Sequence, residues 1–200
     1  AEWSAGISVS SGVYQADGKE TSGTESETNK DNQEAQFTYP SIFLEYNLGR
    51  VSLGLDYIPG EVQTEEQART DYNCTPLCTG NDGGATGVTN KASVSISRHV
   101  SLYAVVQPIT DIGAFVRVAV MRADVETKET LNTGSTYPDT NMKGASLSLG
   151  YQHDTGGAAF VRAEVGYTDY EGISVTSSNS HVVDAEVDGQ WARISIGTTF

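Results

Sequence analysis

The stretch WARISIGTTF, from Trp191 to Phe200, alternates without a break. Ala192, Ile194, Ile196, Thr198 and Phe200 fall on one face; Trp191, Arg193, Ser195, Gly197 and Thr199 fall on the other. Successive side chains of a strand point to opposite sides, so this pattern reads as a β-strand with one aliphatic face and one small or polar face. A strand of this kind that ends on an aromatic residue has the form of the closing strand of a barrel whose outer solvent is hydrocarbon.

The same alternation recurs upstream. Trp3, Ala5, Ile7 and Val9 oppose Ser4, Gly6, Ser8 and Ser10 in a first strand, from about Glu2 to Gln15. Further strands are expected at about 35–48, 51–63, 88–107, 112–128, 139–153, 158–173 and 181–200. In the fourth, Ala92, Val94, Ile96, Val100, Leu102 and Ala104 share the apolar face, with Arg98 as an exception. Pro59-Gly60 is expected to bend or bulge the third strand, and a phase slip near Asp188-Gly189 suggests a bulge in the last. The connections at Gly49, Pro108 and Asp154 are short, whereas Asp17 to Glu34 and the segment after the third strand read as long acidic loops. Short turns at one end and long loops at the other are the two ends of an outer-membrane barrel.

The composition of the polar face decides which solvent lies where. It is mostly Ser, Gly, Thr and Ala, with few Lys. A water-facing exterior has no reason to keep residues small, but the interior of a narrow barrel does. Alternation therefore places Glu45, Asp56, Glu164, Arg117, Arg162 and Arg193 in the lumen, three acids against three arginines. Buried charges need partners, so these six are expected to form a salt-bridge network that plugs the barrel. Tyr39, Tyr57 and Tyr167 near the loop ends, and Trp3, Tyr46, Tyr151 and Phe200 near the turn ends, are expected as two aromatic girdles.

Several classes are disfavoured. The chain has 200 residues and a net charge of -14, which opposes binding to nucleic acid phosphates. No apolar run approaches the ~18 residues of a membrane helix. Ala1-Glu2-Trp3 reads as the start of a mature, secreted chain. Cys74 and Cys78 stand as C-x3-C without two further soft ligands, so a disulfide within a surface loop is expected rather than a metal site. The acidic groups Asp17 to Glu34 and Glu61, Glu65, Glu66 and Asp71 read as solvated loop charges, with no spaced calcium loop. No cofactor is expected. His99-Val100-Ser101 has the spacing of a His-x-Ser pair, yet alternation points both side chains into the lumen, and a hydrogen-bonded lumen histidine is the expectation.

In this arrangement the chain resembles the small eight-stranded outer-membrane barrels: OmpX, the transmembrane domain of OmpA and the opacity-type surface proteins. The resemblance spans essentially the whole chain and rests on architecture and on Ile194-x-Ile196-x-Thr198-x-Phe200. It implies an all-β, eight-stranded antiparallel up-and-down transmembrane β-barrel, with residues 1–200 as one outer-membrane domain. Phe200 looks like the signal those families present to the barrel-assembly machinery; Thr198 departs from the commoner aromatic or aliphatic residue there. Lipid and lipopolysaccharide are the implied surroundings. The expected function is non-enzymatic, in envelope structure or in adhesion to an extracellular ligand through the acidic loops. A narrow channel for small or apolar solutes is the alternative, and a lipid-modifying enzyme a third.

Overall fold

The computed structural model describes residues 2–21, 28–64, 66–72, 87–109, 112–130, 136–178, 180 and 182–200. Within them lie β1 (Glu2–Thr21), β2 (Thr28–Asn47), β3 (Val51–Gln63), β4 (Gln67–Tyr72), β5 (Gly87–Ile109), β6 (Ala114–Thr130), β7 (Thr140–Asp154), β8 (Ala159–Thr176) and β9 (Val182–Thr199). Every pairing is antiparallel, in the order β3-β2-β1-β9-β8-β7-β6-β5, and β5 closes back onto β3. β4 continues β3 along the same edge of β5, so the two are successive parts of one stave and the closed barrel has eight staves. From the turn end up to Ile42 and Tyr57 this closure leaves no unpaired edge for hydrocarbon to meet; above that pair β2 and β3 are not paired with each other.

The termini meet at the turn end, where Trp3 and Phe200 exchange backbone hydrogen bonds of 3.1 and 2.8 Å. Outward from there runs a belt of exposed aliphatic side chains, including Ile7, Leu55, Leu102, Val120, Leu149 and Ile194, the last 63% exposed. Inside lie buried Ser4, Ser8, Ser41, Ser101, Ser148 and Ser195. This is the inverse of a water-soluble barrel, and it identifies the outer solvent of the belt as lipid. Trp3 and Tyr46 meet in a tilted pair with ring centroids 4.8 Å apart at the turn end, and exposed Tyr57 and Tyr167 stand at the other edge of the belt.

Above the belt the barrel differs from the sequence expectation, for one physical reason. The strands continue past the membrane into water, and there the apolar side turns inward. Asp17 to Glu34 is not one loop: β1 runs to Thr21, β2 begins at Thr28, and the two stay paired throughout. The segment after β3 likewise contains β4. In β5, Arg98 has φ +48° and stands with His99 opposite the single residue Ala123, which shifts the register. The alternation changes phase there, so Val94 and Ile96 pack inside against Val125, Met142 and Tyr170 instead of sharing the lipid face of Val100 and Leu102. Pro59 and Gly60 sit where the β3–β5 register shifts.

The slip near Asp188-Gly189 is not a bulge in β9, whose pairing with β1 is continuous. The bulge lies on β8, where Glu171 and Gly172 oppose Glu186. Val187 simply turns apolar on the inner face while Glu186 turns charged on the outer one. Tyr39 also points inward, its hydroxyl 2.8 Å from that of Tyr14, and is not part of the outer girdle.

Candidate functional site

All six lumen charges meet at mid-barrel. β2 supplies Glu45, β3 Asp56, β6 Arg117, β8 Arg162 and Glu164, and β9 Arg193. Each is nearly or fully buried, Glu45 completely. The Glu45 carboxylate accepts two 2.7 Å hydrogen bonds from the Arg162 guanidinium, a bidentate pair, and a third of 3.0 Å from the Tyr103 hydroxyl. Arg162 donates its Nε to Gln152 at 2.7 Å. Asp56 accepts from Arg193 at 2.9 Å and from Arg117 at 3.4 Å. Arg117 also reaches Glu164 at 3.3 Å, and Ser148 donates to the same oxygen of Glu164. Arg193 Nε donates to Ser10 at 2.9 Å. Tyr103 joins the halves, since its hydroxyl binds Glu45 while its ring lies 3.9 Å beneath the Arg117 guanidinium.

Aromatic rings complete the filling. The Arg162 guanidinium lies 4.7 Å from the Phe160 ring and 5.5 Å from that of Phe115. Each ring occupies the space over a glycine directly opposite on the neighbouring strand. Tyr103 lies over Gly54, Phe115 over Gly150, Phe160 over Gly197, Phe43 over Gly6 and Trp191 over Gly166. A Cβ at Gly150 would lie 2.2 Å from the Phe115 ring, and one at Gly54 2.3 Å from Tyr103. These aromatics were not singled out from the sequence as lumen filling. The signal was present: glycines at lumenal positions mark where a neighbour's ring crosses.

Only about 10 Å³ of space remains among Asp56, Tyr103, Arg117, Arg162, Glu164 and Arg193. That is no more than one water needs. On the turn side a polar vestibule of about 610 Å³, lined by Ser4, Asn47, Ser52, Gln107 and Asp154, reaches down to Arg162. On the loop side Phe37, Tyr39, Ile58, Ile96, His99 and Met142 enclose about 70 Å³.

His99 lies there with its Nε2 3.2 Å from the Tyr170 hydroxyl. Outside the wall above the belt, Lys128 at 2.6 Å and Ser95 at 2.9 Å hold the exposed Glu61 carboxyl below the usual carboxylate range. Glu66 is paired there with Lys91 at 2.6 Å. Among the described residues there is no cluster of metal-ligating side chains. Cys74 and Cys78 lie outside the described residues.

An aliphatic outer belt, aromatic edges and a closed antiparallel wall define an outer-membrane β-barrel. No protein-family model matches the chain, and no curated protein matches it. Solved structures do. Outer membrane protein AlkL in lipid bilayers has a TM-score of 0.54 at 15% identity, over 100% of this chain and 90% of that one. The outer membrane protease OmpT of Escherichia coli has 0.48 at 9%, over 100% and 97%. OprG of Pseudomonas aeruginosa has 0.47 at 12%, over 98% and 96%. At these identities the likeness is one of fold alone.

Proposed function

We propose that this is a non-enzymatic surface protein of the outer membrane. Its plugged barrel is a rigid anchor, and its acidic water-exposed end serves envelope structure or recognition of an extracellular partner. One observation carries this reading: the carboxylate–guanidinium and aromatic filling leaves only about 10 Å³ where a continuous path between the vestibule and the loop end would run. The alternative, a narrow channel, needs such a path. Recognition sites commonly stand on a rigid scaffold, and the acidic strand ends stand on one here.

Planar-bilayer recording with refolded protein separates the two. A plugged barrel is electrically silent; stable unitary conductance would support the channel. The exposed ring of Phe200, held beside Trp3 at the turn end, is assigned as the signal to the barrel-assembly machinery. Phe200→Ala should lower the folded fraction in the outer membrane without changing the stability of protein refolded in detergent.

A further inference from the structure

Where the belt ends on the loop side, two cations stand abreast. Val100 of β5 is opposite Arg122 of β6, and Arg122 is opposite Lys143 of β7. All three face outward, because the next outward-facing residues toward the turn end are Leu102, Val120 and Ala145 of the lipid belt. Like charges directly opposite on a sheet repel and destabilise it. Neither Arg122 nor Lys143 has an ion pair or hydrogen bond among the described residues. Arg98, beside them in the β5 bulge, is tied to Asp124. The neighbouring acids on β8 are Asp169, opposite Ala145, and Glu171, which follows Tyr170, the residue opposite Gly144.

We infer that Arg122 and Lys143 form a phosphate-binding site for a phosphorylated glycolipid of the outer leaflet. Height selects the partner. The pair sits at the first position above hydrocarbon, where lipid phosphates lie, on an otherwise acidic protein. Arg presents a planar fork and Lys a point charge, and together they can bridge oxygens of one phosphate. A phosphate would also remove the repulsion between them. The acyl chains of the same lipid would lie along the Leu102, Val120 and Leu147 wall below.

The test reconstitutes the protein in phosphatidylcholine nanodiscs containing bisphosphorylated lipid A. The lipid retained on release is read by native mass spectrometry. Arg122→Gln with Lys143→Gln should lower lipid A retention about tenfold. Lys19→Gln with Lys91→Gln, which removes the same charge elsewhere, should not. Heat-dependent gel mobility reports that both variants are folded. Equal retention by the Arg122/Lys143 variant and the unmodified protein overturns the proposal. So does an equal loss in the Lys19/Lys91 variant. Displacement of lipid A by millimolar inorganic phosphate would assign the pair to a free anion and overturn the lipid source.

Discussion

Glu45 shows what the lumen demands of a single residue. Its carboxylate is sealed from solvent and has three hydrogen bonds, two of them from Arg162. Arg162→Met would strip the counter-charge and leave Glu45 to Tyr103, at a cost of about 3–5 kcal/mol. Converting both partners, Glu45→Leu with Arg162→Met, should cost less than the single change, because no orphaned charge remains. Urea unfolding of the refolded barrels in detergent measures both. Arg117→Ala should likewise lower the unfolding temperature, since Arg117 ties Asp56 to Glu164. Gly150→Ala tests the aromatic packing: its methyl group has no room beside Phe115, and a loss of about 1–3 kcal/mol is expected in the same assay. The faces of all six charges were legible from alternation, because parity along a strand is local. Which acid meets which arginine was not. Glu45 and Arg162 are 117 residues apart and meet only through the register of the closed barrel.

At the scale of the strand, the sequence reading succeeds inside the belt and fails above it. Below Val100 the outer solvent is lipid and apolar residues point out; above Arg98 it is water and they point in. Parity along a strand reports a shared face only until a bulge resets it, and the bulge at Arg98 and His99 puts Val94 and Ile96 on the opposite face from Val100 and Leu102. The inward turn of Val94 and Ile96 therefore looked like more of the same stripe, and the change at Val187 looked like a slip. Single cysteines in a background lacking Cys74 and Cys78 should show the reversal. Cysteine at Glu126 or Glu186 should react rapidly with a water-soluble maleimide, and cysteine at Ile96 or Val187 slowly. Equal rates would remove the reversal.

The Glu61–Lys128 tie on the water-exposed wall is pH-dependent. Its carboxyl is held low, so its contribution is present above the ordinary carboxylate pKa and is lost as pH falls through the lowered value. The difference in melting temperature between Glu61→Gln and the unmodified protein should shrink to nothing in acid.

As a whole, the molecule is a closed membrane barrel whose wall continues above the belt with its two faces exchanged. The membrane part has a lipid-compatible outside and a charged, filled inside. The part above it has a charged outside and an apolar inside built from Tyr14, Ile96, Val125, Met142, Tyr170 and Val187. The eight-stave closure was readable from the count of alternating stretches and the sorting of short turns from long connections. The extent of the upper part was not, because 17–21 and 28–34 carry polar residues on both sides of the chain and have no hydrophobic period to read.

Nitroxide accessibility in lipid bilayers tests the lipid-facing assignment most directly, with labels at Leu102, Val120, Leu147 and Ile194 and, above the belt, at Glu126. The first four should relax with membrane-dissolved oxygen and be shielded from a water-soluble nickel complex, while Glu126 should show the reverse. Nickel access at Leu102 and Ile194, or shielding there from both reagents as in an enclosed protein core, would contradict a lipid-facing belt around a plugged lumen.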